Sequence, residues 1–388
     1  MMLVLALGPF GPAPSRVMTH VRRAGLISRD ELARRTGLSG SSVARTVTAL
    51  TQAGLLRERP DLAPEGAIGR PSVPVEVDVD QHVTLGAHVG RQSVTVSLGD
   101  LRGGVLARTT FPRPADAAPE LARRVADELT ALLAKDSTRM AISAGLVAPW
   151  GDVAHDRDEL GDELGRTLGL EVETWELIPA IAAAEYLNRP EDLPGSTLYL
   201  YARDTVGFVM ANQRATGMEI ARVGRLSHFP TGGHHRCRCG RTGCLETLVS
   251  EEAVARAAHA AGVVDRPEIQ LVHAAAMAGD DAASQLLRDR AEQLGRVAAI
   301  VRDMVHPDRV VLCGQGFTAY PPALDVIRTS LRAHTATPTP LDISFTRVSG
   351  EIQAVAAGTV ALRRVYDDPL GVLAEQDDDL RDERCLLG

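Results

Sequence analysis

The sequence predicts a small helical domain at the amino terminus, joined to a longer body of the α/β class. Two observations predict this division. Residues 15–56 carry three short helical patterns separated by turn residues, and after Val79 short apolar strands alternate with helices. The length of 388 residues gives room for about two or three domains of about 100–200 residues each.

The first two helical patterns lie close together in the chain. The first covers residues 16–24, and the second starts at Ser28. Ser28 and Glu31 have the spacing of a capping box, in which the hydroxyl accepts a hydrogen bond from the Glu31 backbone N–H and the carboxylate reaches back. Gly37 then marks a tight turn before the third helix.

The third helical pattern begins after Ser39 and ends near Gly54, with apolar residues repeating on one inward face. Two helices joined by a short turn that contains glycine form the helix-turn-helix arrangement. In such domains the start of the second helix of the pair faces base edges in the major groove. We therefore predict DNA contacts from Ser39, Ser41, Ser42, Arg45 and Thr46.

The segment 57–76 follows this helix and is predicted to form a β-wing. Arg70, between a glycine and a proline, could place a guanidinium in a minor groove. Residues 1–76 hold ten arginines against six acidic residues, a charge of +4, which leaves −12 on the other 312 residues. This positive excess suits binding to phosphate, although a helical domain that binds protein is an alternative.

The body is predicted to be α/β because strand and helix patterns alternate along it. Strands are predicted at residues 82–86, 93–98, 103–110, 140–146, 171–174, 197–201, 206–209 and 310–312. Helices are predicted at residues 119–134, 160–169, 179–187, 280–304 and 352–365.

Three of the five cysteines lie within eight residues, namely Cys237, Cys239 and Cys244. Structural zinc sites use four Cys or His ligands in a tetrahedron. The fourth ligand could be His228, His234 or His235, and we prefer His228 because a separate strand end gives better geometry. We expect a closed, structural Zn²⁺ site, and the alternative is three free thiols that pack together by chance.

The string from His228 to Glu246 resembles the zinc motif of the ROK family, a family of repressors, open reading frames and sugar kinases. That motif reads Glu-x-Gly-His, about ten residues, then Cys-x-Cys-Gly-x-x-Gly-Cys-x-Glu. The amino-terminal pattern I-S-R-x-E-L-A-x-x-T-G-L-S, with the later G-R-P, resembles the winged helix-turn-helix of the repressor branch. The resemblance covers nearly the whole chain, to about residue 369.

The resemblance implies an actin-like ATPase fold of two α/β lobes with a cleft between them. It also implies homodimers or tetramers that bind palindromic operators in double-stranded DNA. The domains expected on this basis are a winged helix-turn-helix at 1–78, a small lobe at 79–178 with a closing helix at 350–366, a large lobe with the zinc loop at 179–349, and a frayed acidic tail at 367–388.

The sequence departs from the kinases of this family at two motifs. Their Asp-x-Gly-Gly-Thr, whose backbone holds ATP phosphates, is matched by residues 88–92, which lack the acid, one glycine and the threonine. Their Asn-Asp pair, which supplies the catalytic base, falls on Glu176 and Leu177, and leucine cannot take a proton. We therefore expect no kinase activity, and a sugar kinase with an added DNA-binding domain is the alternative.

The sugar site implied by the family is also altered. The sugar-contacting glutamate aligns with Arg225, whereas His228 and Glu246 match the family pattern. Candidate ligand-binding residues are Glu176, Arg225, His228 and Glu246. Either the site binds a different ligand, such as an anion, or it is vestigial. Arg225 could equally form an ion pair with Glu176 or Glu246.

The predicted function is a sequence-specific DNA-binding transcription regulator that acts as a repressor. Its effector would be a non-standard sugar, an anionic metabolite or none, and a regulator that needs no small molecule is a further alternative. No apolar run approaches the roughly 20 residues that cross a bilayer, and the apolar start lacks basic residues. We therefore expect no membrane partner and a cytoplasmic location.

Overall fold

The computed structural model describes residues 3–5, 11–62, 73–114, 118–136, 138–149, 157–188, 194–214, 217–337, 342–348 and 351–374. The chain divides into two units. The first comprises Val4–Glu191, Ala215–Met218 and Gln353–Gly388, and the second comprises Met1–Leu3, Asp192–Arg214 and Glu219–Ile352. The domain ranges 1–78, 79–178 and 179–349 stay a prediction, since these units group the amino-terminal helices with the lobe that follows them.

The amino-terminal part carries the winged helix-turn-helix. A short strand, β1 (Leu3–Leu5), comes before it, and its own elements are α1 (Ala13–Ala24), α2 (Arg29–Thr36), α3 (Gly40–Gln52), β2 (Leu56–Glu58) and β3 (Val75–Val77). Strands β2 and β3 pair antiparallel with Arg57 opposite Glu76, and Ile27 forms a β-bridge with Val75. We call residues 11–78 the head. The predicted position of Arg70 lies outside the described residues.

The second and third helices begin at serine caps. Ser28 Oγ accepts a hydrogen bond from the Glu31 backbone N–H at 3.2 Å, as predicted. The second half of the predicted capping box is wrong, because the Glu31 carboxylate accepts from Arg34 and Arg35 instead. Bonds between a carboxylate and a guanidinium are stronger than one to a neutral N–H, which explains the choice of partner.

The lobe that follows the head is built on one five-stranded sheet. Its strands are β4 (His82–Val89), β5 (Ser93–Gly99), β6 (Val105–Pro112), β7 (Met140–Ala148) and β8 (Val172–Glu176), and its helices are α4 (Ala118–Leu133), α5 (Arg157–Leu168), α6 (Leu177–Leu187) and α13 (Ile352–Asp367). The strand order is β6-β5-β4-β7-β8, with β6, β5 and β4 antiparallel and β4, β7 and β8 parallel. Nearly every residue of β4 and β5 is buried, as expected for central strands.

The head and this lobe share a continuous apolar core. Met18 of the head packs in the same cluster as Ile142 of β7 and Val365 of α13. The hydroxyl of Tyr366 donates to the carbonyl of Leu101 at 2.7 Å, in the turn between β5 and β6. Burial of apolar surface across the junction therefore holds the head against the lobe.

The predicted frayed tail at 367–388 is wrong at its start. Val372 is 4% exposed and belongs to the core shared by head and lobe. Leu370 and Leu373 pack against the same cluster. These apolar side chains offset the acidic composition that suggested fraying, and residues beyond Ala374 lie outside the described chain.

The second unit repeats the strand order of the first. Its elements are β9 (Gly195–Ala202), β10 (Val206–Arg214), β11 (Gly217–Arg225), α7 (Glu246–Val249), α8 (Glu251–Ala260), α9 (Ile269–Met277), α10 (Asp281–Val305), β12 (Arg309–Cys313), α11 (Gln315–Thr318), α12 (Leu324–His334) and β13 (Asp342–Phe345). Its sheet has the order β1-β11-β10-β9-β12-β13, so that β1 is added at the edge of the five strands that repeat the pattern. Strands β9 and β10 are antiparallel, and β9, β12 and β13 are parallel. Helix α10 packs on α12 and α9 over this sheet, and its apolar face lies in the core.

Among the described helices, none combines the length and the apolar character that crossing a bilayer requires.

Candidate functional site

The exposed face of α3 is the first candidate surface. Ser39 is the N-cap of this helix, and its Oγ accepts from the Ser42 backbone N–H at 3.2 Å. Ser41 and Arg45 are exposed on the following turns, and Ser42 is half-buried. No carboxylate pairs with Arg45 within the described chain, so its guanidinium is available to a nucleic acid.

The prediction that Thr46 faces outward is wrong. Thr46 is 8% exposed and lies with Val43, Val47 and Leu50 on the buried face of α3. The exposed stripe runs instead through residues one helical turn apart, namely Ser41, Ala44, Arg45 and Thr48. The sequence signal for Thr48 was its spacing of seven from Ser41, which places both on one face.

Most of the other described charged side chains of α2 and of the base of the wing are already paired. Arg34 and Arg35 contact Glu31 on their own helix. Arg57 and Arg59 at the base of the wing both contact the buried carboxylate of Glu76. Arg45 is therefore the exposed cation best placed on the helix that would enter a groove.

The second candidate site is a tight loop that carries the three clustered cysteines. The backbone N–H of Cys237 donates to Arg241 at 2.8 Å, and that of Gly243 donates to His235 at 3.0 Å, which closes a short hairpin. Gly243 has a φ of +71°, and a Cβ there would lie 2.6 Å from the carbonyl oxygen of Gly233. Only glycine allows both this positive φ and this close approach of the Gly233 carbonyl, so Gly243 sets the shape of the loop.

The hairpin gathers four ligand atoms. Those of His228, Cys237, Cys239 and Cys244 all lie within 4.8 Å of one another. The Cys237 Sγ is 3.5 Å from the His228 Nδ1, and the Cys239 Sγ is 3.6 Å from the Cys244 Sγ. Zinc bonds of about 2.3 Å to sulfur and about 2.1 Å to nitrogen separate tetrahedral ligands by about 3.5–3.8 Å, so this cluster could hold a metal ion.

The surroundings of the cluster differ from thiol to thiol. Burial raises the pKa of Cys237 to about 12, whereas hydrogen bonds from the Arg241 backbone and side chain lower the pKa of Cys239 to about 6. The Cys237 thiol also donates to Glu246 Oε1 at 2.9 Å. A cation at the centre would hold all three sulfurs as thiolates, which is the form that binds metal.

Two members of the predicted ligand-binding set, His228 and Glu246, lie close together in the second unit. Glu246 is 5% exposed at the start of α7, and its Oε1 is 3.7 Å from the His228 Nδ1 and 4.0 Å from the Arg238 Nε. Arg225 is exposed at the end of β11 in the same unit. Glu176 is half-buried in the other unit, as the residue that ends β8 and precedes α6. The sequence did not reveal Arg238 as a neighbour of Glu246.

The residues that replace the two kinase motifs lie in a hydrogen-bonded turn and in the first turn of α6. The turn at 90–93 closes with the Gly90 backbone N–H donating to Ser93 at 2.9 Å, and the Arg113 guanidinium donates to the Gly90 carbonyl at 3.1 Å. Leu177 is 4% exposed in the first turn of α6. A buried leucine at this position offers no group that could accept a proton.

Comparison with known families decides the identity of the fold. A model described as ROK family matches residues 84–364, and one described as MarR family matches residues 10–63. The chain belongs to the ROK family. This confirms the predicted family and the predicted architecture of a winged helix-turn-helix followed by a ROK actin-like fold.

Relatives with given names match between three quarters and nine tenths of this ROK protein. It is 36% identical over 386 residues to Transcriptional regulator Rv0485 of Mycobacterium tuberculosis, covering 93% of this chain and 87% of that one. It is 25% identical to the transcriptional dual regulator NagC of Escherichia coli, covering 75% and 77% of the two chains.

A crystal structure of a ROK family transcriptional regulator, a homologue of the Escherichia coli MLC protein, superposes with a TM-score of 0.71. The identity is 23%, and the match covers 94% of this chain and 98% of that one. A ROK glucokinase from Streptomyces griseus superposes with a TM-score of 0.60 at 20% identity, covering 72% of this chain and 99% of that one. Both likenesses concern the fold.

Proposed function

We propose that this ROK protein is a sequence-specific DNA-binding transcription regulator that acts as a repressor. The observation that carries the proposal is the exposed stripe on α3, which is capped by Ser39 and bears the unpaired Arg45. The names of the relatives support it, since Rv0485 and NagC are both described as transcriptional regulators. As a homodimer or tetramer, the protein would present two heads to the two halves of a palindromic operator.

The test begins with DNA selected from a random pool by the full-length protein. Arg45→Ala should weaken binding to the selected site by about tenfold or more, since a good base contact is worth about 1–3 kcal/mol. Arg332→Ala is the matched control, because Arg332 is exposed on α12 in the other unit. Equal loss in both variants, or no enriched sequence, contradicts the proposal, and an enriched sequence without two-fold symmetry contradicts the palindromic operator.

A structural zinc ion ligated by His228, Cys237, Cys239 and Cys244 is the second part of the proposal. Its support is the gathering of three thiols and one imidazole within 4.8 Å. The ion would tie the hairpin to the strand end at His228 and would be fully ligated by protein, which fits a structural site and leaves no position for a substrate. One equivalent of zinc per chain is expected from elemental measurement, and zinc-free protein that is equally stable would contradict it.

A sugar kinase with an added DNA-binding domain is the alternative, and the likeness to the Streptomyces griseus glucokinase favours it. The buried Leu177 and the altered turn at 88–92 argue against it. A coupled assay of ATP consumption over a panel of hexoses distinguishes the two. We expect no turnover above the protein-free rate, and sugar-dependent turnover would favour the alternative.

The effector is proposed to be a non-standard sugar or an anionic metabolite acting on operator affinity. Titration of neutral sugars and of organic anions against the operator complex tests this point. A regulator that needs no small molecule predicts the same affinity throughout the panel. Because the proposed activity needs access to the chromosome, the proposed location is the cytoplasm.

A further inference from the structure

The second unit contains an open pocket of about 720 Å³ that the proposed function does not use. Its walls come from the two ends of the cysteine loop, from α8 and from α10. Residues His235 and Arg236 precede the first cysteine of the loop, and Leu248 follows its last one. The volume lies within the range of about 300–1,000 Å³ that is usual for small-molecule sites.

A buried arginine without a full set of partners forms part of this pocket. Arg290 of α10 is 3% exposed, and its Nε donates to the carbonyl of Val249 at 2.8 Å. Its Nη2 is buried and has no hydrogen-bond partner within the described chain. Buried charged groups are nearly always paired, so an unpaired guanidinium N–H indicates a missing acceptor.

A neighbouring carboxylate, that of Glu251, does not supply that acceptor. Glu251 is oriented toward another arginine, since its Oε2 accepts from the Arg203 Nε at 3.1 Å. Burial lowers the pKa of Arg290, although Glu251 and Asp204 oppose this effect through their charge. The guanidinium therefore remains a buried cation that lacks a direct anionic contact.

The exposed side of the pocket adds further positive charge. Arg236 and Arg256 line it, and the acidic residue in the lining is Asp289, so the charge of the lining is +2 with Arg290 included. Arg256 contacts Glu252 on its own helix at 3.1 Å, whereas Arg236 pairs with no carboxylate in the described residues. An anion would thus be attracted to the mouth of the pocket as well as to its floor.

The remaining lining is largely aliphatic. Leu248, Val254 and Leu286 are half-buried or buried side chains that face the same space. Such a surface favours an apolar group, because covering it removes apolar area from water. A bare inorganic anion would leave this part of the pocket uncovered.

We propose that this pocket binds an organic anion with an apolar body, whose carboxylate or phosphate group is attracted by the guanidinium of Arg290 beneath the pocket surface and by that of Arg236 at its mouth. Arg236 would draw the anionic group in, and the aliphatic wall would hold the body. Since both ends of the cysteine loop line the pocket, a bound molecule would also brace that loop. The proposal concerns ligand binding by the second unit and does not depend on DNA recognition.

Binding is measured by isothermal titration and by thermal shift on the full-length protein without DNA. The probes are decanoate, decyl phosphate, decanol and inorganic phosphate. Decanoate or decyl phosphate should bind and raise the melting temperature, and the tighter of the two identifies the anionic group. Decanol and inorganic phosphate should each bind at least about tenfold more weakly, because each lacks one half of the recognised chemistry.

Two kinds of variant locate the binding. Arg236→Gln should weaken binding of the anionic probe by about tenfold, and Arg332→Gln on the exposed face of α12 should leave it unchanged. Ala257 is exposed in the pocket lining, so Ala257→Phe should block the pocket without removing a buried contact, whereas Ala282→Phe at the exposed start of α10 should not. Arg290→Met tests the contribution of the buried arginine directly. If Arg290→Met does not fold, Ala257→Phe still tests whether the probe binds in this pocket.

Several results would overturn the proposal. Equal affinity for decanol and decanoate would show that the arginines do not contribute to binding. Anion binding that survives Ala257→Phe would place it elsewhere on the surface. If no probe binds and Ala257→Phe instead changes the oligomeric state, the pocket is a contact between copies of the chain.

Discussion

Replacing Glu76 with glutamine should loosen the wing of the head from its own lobe. Glu76 lies on β3 with its side chain 9% exposed, and its carboxylate contacts three arginines. Arg57 and Arg59 come from the base of the wing, at 2.6 Å and 2.8 Å, and Arg102 comes from the turn between β5 and β6, at 2.8 Å. One carboxylate thus joins two parts of the first unit.

The size of the effect follows from the pKa of this carboxyl. Burial raises the pKa, but the hydrogen bonds from the three arginines outweigh it and lower the pKa from 4.5 to about 2. A shift of about 2.5 units corresponds to at most about 3.4 kcal/mol of stability. The arginine side chains are 29–39% exposed, so water screens the contacts and we expect about 1.5–2 kcal/mol.

The sign of the pH dependence is fixed by the direction of this shift. A carboxyl with a lowered pKa in the folded state stabilises the fold fully above the unfolded value of 4.5, and the contribution is lost as the pH falls toward 2. The measurement is urea unfolding of the wild type and Glu76→Gln from pH 7 down to pH 3, with Glu120→Gln on the exposed first turn of α4 as the control. A Glu76→Gln cost that equals the control at pH 7, or that stays constant down to pH 3, refutes the reasoning.

Three other substitutions test separate features of the structure. Cys239→Ser should lower the zinc content and the melting temperature, whereas Cys313→Ser, a buried thiol on β12 outside the cluster, should keep the zinc; elemental analysis and a thermal melt measure both. Thr46→Val should leave operator affinity within about twofold in a gel-shift titration, because this side chain is buried, and a tenfold loss would restore its predicted role at the DNA surface. Tyr366→Phe removes the hydrogen bond to the buried carbonyl of Leu101 and should destabilise the protein by about 1–2 kcal/mol in urea unfolding, while an unchanged midpoint would argue against this contact.

The elements that the sequence predicted well are those with a strong period or a clear boundary signal. Helix α10 was predicted at 280–304 and spans Asp281–Val305, because its apolar repeat is long and Asp280 caps it. Strand β11, Gly217–Arg225, was missed, since its outer half is exposed and carries no alternation of apolar residues. Helix α12 was missed for a related reason, as it follows a proline-rich turn and buries few side chains.

Among the candidate sites, the sequence predicted the one whose residues are close together in the chain and missed the one built from distant residues. The cysteine cluster was predictable because three ligands lie within eight residues and the loop glycines are adjacent. The pocket beside Arg290 was not, because its walls come from residues 235–293 and its floor is a cation that looks like any surface arginine of a helix. Periodicity places a residue on a face, but pairing across elements depends on the packed fold.

The contacts within the head reduce the number of arginines that its net positive charge makes available to DNA. The +4 of residues 1–76 suggested a segment suited to binding phosphate. Several of these cations are used internally, since Arg22 donates to the carbonyl of Arg102 and lies over the ring of Tyr366, and Arg57 and Arg59 contact Glu76. With few arginines left for phosphate, one head would bind DNA weakly and with a shallow dependence on salt. The proposed repressor therefore needs two heads on one operator, and one of these internally used arginines, Arg22, also fixes the head to its lobe.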